Sequence, residues 1–295
     1  MATGLKTYGR VFCLISGASR GLGRGLAVKL ADRLDAGSVL FLLARNTLDL
    51  VQVQETIGQK QRDIKVVIKC VDLTNADHEA FKAAIGNALD ESQTTAERFD
   101  TALLIHNAGS LGDIAKTTLA LRDVGELRNY YDLNLFSPIL LNSAFFNIFS
   151  SECVKKQVVV NVSSLAAIQP FKTWSYYCVG KAARDMFFRV MAAEFPRVRV
   201  LNYSPGPLKT EMTVKAREET LDEDVREWFK GNYSDFEDGL IAMYVRVAFS
   251  PFLSDAYRED KMLDVNFTVE RLFAILEADN FKSGDHVDVF DDLSG

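Results

Sequence analysis

Residues Val11–Ser16 form a short apolar run that ends directly on Ser16-Gly17-Ala18-Ser19-Arg20-Gly21-Leu22-Gly23. Leu22, Leu26, Leu30 and Leu34 then recur at helical spacing, which predicts a helix over 21–34. A strand, a glycine-rich turn and a helix in immediate succession constrain this chain more than any other feature. Glycines here permit a tight turn, close backbone approach to a pyrophosphate, and close packing of helix on strand. The helix start then offers free N–H groups and the positive end of its dipole. The expectation is a dinucleotide held by Gly17, Ser19, Arg20, Gly21, Leu22 and Gly23.

The same alternation continues. Apolar runs at 39–44, 66–71, 102–106, 158–162 and 198–203 predict buried strands, and helical patterns fall at 48–60, 76–89, 127–149 and 174–194. Continuous apolar strands separated by helices imply a parallel sheet covered on both faces, a doubly wound α/β domain. No repeat or low-complexity linker interrupts 1–295, so one domain is expected, with an extended segment at about 212–265 and a last short strand at 286–290. Within that segment 218–227 is acidic, and 240–252 is apolar but too short to span a bilayer.

Charge identifies the cofactor. An NAD site carries an acidic side chain about 20 residues past the glycines, on the ribose 2′-hydroxyl. Here the second strand ends Leu43-Ala44-Arg45-Asn46. Arg45 and Arg20 suit a 2′-phosphate instead, so NADP(H) is expected. Asp72 and Leu73 are placed to meet the adenine, and Asn107, Ala108 and Gly109 to flank the ribose. The net charge of −6 argues against nucleic acid and anionic membrane as partners. The opening residues contain no signal-like apolar run, and Cys13, Cys70, Cys153 and Cys178 are scattered, which reads as reduced thiols in a cytoplasmic protein. His78, His106 and His286 have no ligand spacing, so no metal is expected.

Tyr177 and Lys181 are four apart in a helical stretch and share a face. A phenol is a poor proton donor and acceptor at neutral pH, and an ammonium beside it favours the phenolate. Lys181 is therefore expected to draw the Tyr177 hydroxyl toward the working range. Ser164 closes the fifth strand, where open α/β sheets hold ligands, thirteen residues before Tyr177.

The glycine trio, Asn107-Ala108-Gly109, Ser164, Tyr177, Lys181 and Pro205-Gly206 together resemble the motif set of the short-chain dehydrogenase/reductase family. The resemblance implies a Rossmann-type doubly wound parallel sheet of about seven strands. Ser164 would hydrogen-bond the substrate carbonyl, Tyr177 donate the proton, and Lys181 hold the nicotinamide ribose. Asn134 matches an asparagine that supports a proton relay. Asn46, Pro205, Gly206 and Leu208 complete the expected cofactor contacts.

Further runs, Ser110-Leu111-Gly112-Asp113, Gln169-Pro170-Phe171-Lys172 and Phe281–Asp288, resemble a branch of that family that reduces side-chain ketones of pterins. In that branch a carboxylate at the position of Asp288 anchors the pterin, and the protein is commonly a homodimer. The segment at 234–260 is longer than the branch's usual connection. Two other readings share these motifs: a general NADPH-dependent reductase of ketones and diketones, and a non-enzymatic NADP(H)-binding scaffold.

Overall fold

A strand buried on both faces needs an apolar side chain at nearly every position, and three here meet that demand completely. Val11–Ser16 (β1), Val39–Ala44 (β2) and Thr101–His106 (β4) are buried along their whole lengths. Lys65–Cys70 (β3), Lys156–Val162 (β5), Val198–Ser204 (β6) and His286–Asp288 (β7) complete one sheet in the order β3-β2-β1-β4-β5-β6-β7. Every pairing is parallel. These are features of a computed structural model that describes residues 8–230 and 262–292.

The helices cover both faces. Gly21–Ala31 (α1), Thr47–Gly58 (α2) and Val265–Ala278 (α9) close over Val11, Cys13, Ile15, Leu40, Leu103 and Val158. His78–Glu91 (α3) and Ser137–Ile148 (α5) pack the opposite face around Phe12, Leu14 and Phe41. Ser175–Glu194 (α6) joins them there through Phe188 and Met191. Val124–Tyr131 (α4), Glu211–Glu219 (α7) and Glu223–Lys230 (α8) stand toward the carboxyl ends of the strands. The chain runs outward from β1 through β2 to β3, then returns to place β4 on the other side of β1. That reversal opens a crevice at the carboxyl ends of β1 and β4, the usual ligand position of such sheets.

The expected helical stretch over 127–149 is helical without a gap from Val124 to Ile148, but it changes type in the middle. Asp123 caps its start by accepting from the N–H groups of Gly125 (2.7 Å) and Glu126 (3.2 Å). A π-turn then spans Asp132–Phe136, with the Ser137 N–H donating five residues back to the Asp132 carbonyl. Pro138 follows near the start of α5. It has no N–H for the Asn134 carbonyl, and its ring crowds that carbonyl, so a regular α-helix cannot continue through this point. The apolar run 240–252 and the whole of the long segment 234–260 lie outside the described residues.

Candidate active site

The crevice is one continuous cleft of about 1480 Å³. It receives Gly17, Ser19, Arg20, Gly21, Leu22 and Gly23 from the first turn, and Arg45, Asn46 and Leu73 from the ends of β2 and β3. Asn107, Ala108 and Gly109 line its middle, followed by Ser164, Tyr177, Lys181, Pro205, Gly206 and Leu208. Asp72, Asn134 and Asp288 do not line it.

The glycine end has the shape a pyrophosphate requires. Gly17 and Gly21 take left-handed backbone conformations (φ 68° and 52°), and a Cβ on Gly23 would stand 2.1 Å from the Gly17 carbonyl oxygen. No side chain caps the start of α1, so its first N–H groups remain available to an anion. Asn107 locks this turn to β4. Its Nδ2 donates to the carbonyls of Ser16 and Gly17 (both 3.0 Å), while Ser16 Oγ accepts from the N–H groups of Asn107 and Ala108 (both 3.1 Å). Empty space bounded by backbone, with a free helix start, fits a dinucleotide.

The mouth of this end is polar. Arg45 is exposed at the end of β2, and Arg20 forms an ion pair with Glu211 at the start of α7. Asn46 caps α2 by accepting from the Asp49 N–H (3.2 Å). The Asp72 carboxylate accepts from the Thr74 N–H (3.0 Å) and hydroxyl (2.9 Å), which hold it below the usual carboxylate range. It caps a turn, while Val71 and Leu73 on either side reach the cleft.

At the inner end, Tyr177 and Lys181 are buried on one face of α6. Ser164 hydrogen-bonds the Tyr177 hydroxyl and also accepts from the Ala166 N–H (3.2 Å). Lys181 Nζ donates to the Val162 carbonyl (2.6 Å) and stands 5.4 Å from the Tyr177 ring centre. The expectation that Lys181 draws the phenol toward neutrality is corrected here. Burial pushes Tyr177 up to about 12, against the hydrogen bond from Ser164 and the charge of Arg184. Burial, with Arg184 adding like charge, holds Lys181 well below its ordinary value. Desolvation outweighs pairing at both groups. The phenol is thus held in its protonated form, the one a reducing enzyme needs as donor.

Asn134, in the π-turn, stands one layer behind. Its Oδ1 accepts from the Ser110 N–H (2.8 Å) and its Nδ2 donates to the Tyr130 carbonyl (2.8 Å), fixing the loop after Gly109. Asp288 is behind the wall too. It accepts from Ser204 Oγ (2.6 Å) and from the Phe290 N–H (3.2 Å), and burial raises its pKa. Ser204 itself lines the cleft.

The substrate end holds residues the motifs alone do not single out. Trp174 is stacked on Phe171 (5.5 Å, 27°) and on Phe229 of α8 (5.1 Å, 11°), and its edge meets Tyr177 (5.6 Å, 86°). Its Nε1 donates to Thr220 Oγ1 (3.1 Å), so its polar edge is satisfied. Trp228 packs edge-on against Phe229 (4.5 Å, 90°). All four aromatics line the cleft. Among the described residues no cluster of three or more His, Cys, Asp or Glu could hold a metal ion, and no helix is long and apolar enough to cross a membrane.

The short chain dehydrogenase family profile matches residues 12–221. Over 290 residues the chain is 40% identical to the sepiapterin reductase of Xenopus tropicalis, covering 98% of this chain and 99% of that one. It is 34% identical over 209 residues to the benzil reductase ((S)-benzoin forming) of Bacillus subtilis (strain 168), covering 69% and 77%. The crystal structure of the KRED1-Pglu enzyme superposes with a TM-score of 0.71 over 94% of this chain and all of that one; at 23% identity this similarity speaks to the fold.

Proposed function

This chain belongs to the short-chain dehydrogenase family, and from that membership we propose that it uses NADPH to reduce ketones carried on a flat conjugated ring, pterin side chains foremost. That it is an oxidoreductase of ketone or hydroxyl groups follows from its relatives, which removes the scaffold reading. The observation that carries the finer proposal is the position of Tyr177. Its hydroxyl meets Ser164 on one side of the cleft, and Trp174 bounds it on the other. A ketone oxygen directed at Ser164 and Tyr177 leaves the attached ring against Phe171, Trp174 and Phe229.

The chemistry divides cleanly. When bound, the nicotinamide supplies the hydride. Ser164 and Tyr177 meet the negative charge that develops on the carbonyl oxygen, and the Tyr177 hydroxyl passes its proton to that oxygen. Burial excludes water, which strengthens both contacts. Lys181 is positioned to hold a ribose hydroxyl, and the Asn134–Ser110 bonds fix the loop beneath it. Arg45 and Arg20 favour the 2′-phosphate of NADP. Asp288 offers each carboxylate oxygen's second lone pair to the donor groups of a pterin, reached past Ser204.

The finer setting follows the same reasoning. Four free cysteines fit a reducing cytoplasm. On α6, Val179, Met186 and Val190 present an exposed apolar stripe at helical spacing, which supports pairing with a second copy in a homodimer. Tetrahydrobiopterin synthesis is the process such a reductase would serve.

A second reading, a general diketone reductase, is favoured by the likeness to benzil reductase and by Asp288 standing outside the cleft wall. NADPH consumption with sepiapterin and with a plain diketone, in the native enzyme and in Asp288→Ala, separates the two. The proposal expects Asp288→Ala to lose most pterin turnover and keep diketone turnover. Equal retention on both substrates favours the second reading, and no turnover of any ketone by the native enzyme defeats both.

A further inference from the structure

Arg184 is a charge with almost no access to water, 1% exposed on the inner face of α6. It lies about one turn beyond Lys181 and two beyond Tyr177, so the three share a face. Its Nε donates to Asn161 Oδ1 (2.9 Å), its Nη1 to the Ala108 carbonyl (3.1 Å) and its Nη2 to the His106 carbonyl (2.9 Å). His106 and Asn161 face each other at the carboxyl ends of the adjacent strands β4 and β5, and Ala108 lies in the turn just beyond β4, where it lines the cleft. Burying a cation is costly unless its donors are satisfied, and a well-packed apolar side chain often serves a core as well. Packing alone therefore does not explain an arginine here.

Its surroundings do. A Cβ placed on Gly109 would stand 3.2 Å from Asn134 Oδ1 and 3.9 Å from both Arg184 Nη1 and Lys181 Nζ. Three groups of the site thus converge on one backbone position of the turn that lines the cleft. Asn161 passes the connection on, its Nδ2 donating to Asp185 Oδ1 and Asn202 Oδ1 (both 2.9 Å). Asp185 Oδ2 in turn meets His286 Nδ1 of β7 (2.6 Å).

We propose that Arg184 is a positioning residue for the reaction. Its guanidinium clamps the 107–109 turn to the catalytic helix and sets a fixed positive charge behind Tyr177 and Lys181. Burial holds Arg184 near 10, so it remains a cation at neutral pH. Its charge lowers the pKa of both Tyr177 and Lys181. The other ionisable groups facing this cluster are Asp185 and Cys178 on α6, Tyr130 on α4, His106 on β4 and His286 on β7 through Asp185. Burial, then Arg184, depress His106 to about 3, so it is neutral and does not compete.

The proposal rests on ketone reduction at Tyr177 but not on a pterin substrate, so any diketone the native enzyme reduces serves the test. Arg184→Gln removes charge and fork; Arg184→Lys keeps a cation and loses the fork. The alkaline limb of kcat reports the titration of the Tyr177–Lys181 pair. Without the fixed charge, both members hold their protons to higher pH. In Arg184→Gln that limb is expected to move up by roughly half a pH unit or more, and in Arg184→Lys to return toward its native position. NADPH binding, followed by its fluorescence, is expected to weaken about tenfold in both variants, because both release the turn. A limb that stays in place in Arg184→Gln overturns the charge role, and unchanged NADPH affinity in both variants overturns the clamp. If neither variant folds by circular dichroism, Arg184 is a core residue and the proposal falls. No ketone reduced by the native enzyme would instead strike the functional reading itself.

Discussion

The two ends of the cleft are built from different materials. At the glycine end the walls are backbone: Gly17 and Gly21 in left-handed conformations, Gly23 against a carbonyl, and the open start of α1. At the Trp174 end the walls are side chains drawn from distant positions, Phe171 and Trp174 before and at the start of α6, Trp228 and Phe229 in α8. Between them stand Ser164, Tyr177 and Lys181. A backbone wall recognises what dinucleotides have in common, and a side-chain wall decides which ketone enters. Changes at the boundary should therefore remove chemistry, changes at the glycine end should alter the cofactor, and changes at the aromatic end should alter only the substrate.

The largest effect is expected at the boundary. Tyr177→Phe removes the proton donor while keeping the ring against Trp174. Turnover should fall by about 10²–10⁴ with NADPH affinity little changed, measured by steady-state rates and cofactor fluorescence. Retained turnover would move the donor elsewhere. The pH profile sharpens the point. Burial holds Tyr177 up to about 12, and a raised pKa keeps the protonated form present as pH climbs. Reduction should not lose its donor through neutral and mildly alkaline pH, and an earlier decline belongs to Lys181, whose pKa burial depresses.

A smaller, qualitative change is expected at the glycine end. Arg45→Asp places a carboxylate where a 2′-phosphate would lie, without touching the buried strands. The kcat/KM ratio of NADPH to NADH should fall by about 10- to 100-fold, since one charge-assisted pair is replaced by repulsion. An unchanged ratio would assign the phosphate to Arg20 alone, whose partner Glu211 would then have to release it.

The contrast between the ends also explains what could be read in advance. Backbone demands are local. A left-handed turn needs glycine at that position, and a strand buried on both faces needs an apolar run, so β1, its glycine turn and six parallel strands could be read from adjacent letters. Tyr177 and Lys181 were visible because helical spacing is local as well. The π-turn was not, because Pro138 sits in an otherwise regular apolar pattern and its consequence appears four residues earlier. Arg184 was hidden for a different reason. An arginine in a helix reads as a solvated face, and only the sheet brings the His106 and Ala108 carbonyls to it. Asp72 shows the same dependence on context, since one oxygen of its carboxylate serves its own turn through Thr74, a bond that the expected adenine contact does not reveal. The sign of the Tyr177 shift depended on burial, and burial is set by the whole fold.

The aromatic end supplies the finest test of the comparison, because it asks for a change in selectivity with almost none in chemistry. Phe229 lies nearly parallel to Trp174 and does not touch Tyr177 through any ring contact. Phe229→Leu keeps most of the apolar volume and removes the stack. A stacked pair contributes about 0.5–1.5 kcal/mol beyond its buried area, a factor of roughly 2 to 13 in binding. KM for a ketone on a conjugated ring should therefore rise severalfold, kcat should hold, and a small aliphatic diketone should show no change in either. If KM rises equally for both substrates, the column Phe171–Trp174–Phe229 is only scaffolding for the catalytic helix. If kcat falls with KM unchanged, the stack acts on Tyr177 through Trp174, and the division between chemistry and selectivity drawn across the cleft fails at that residue.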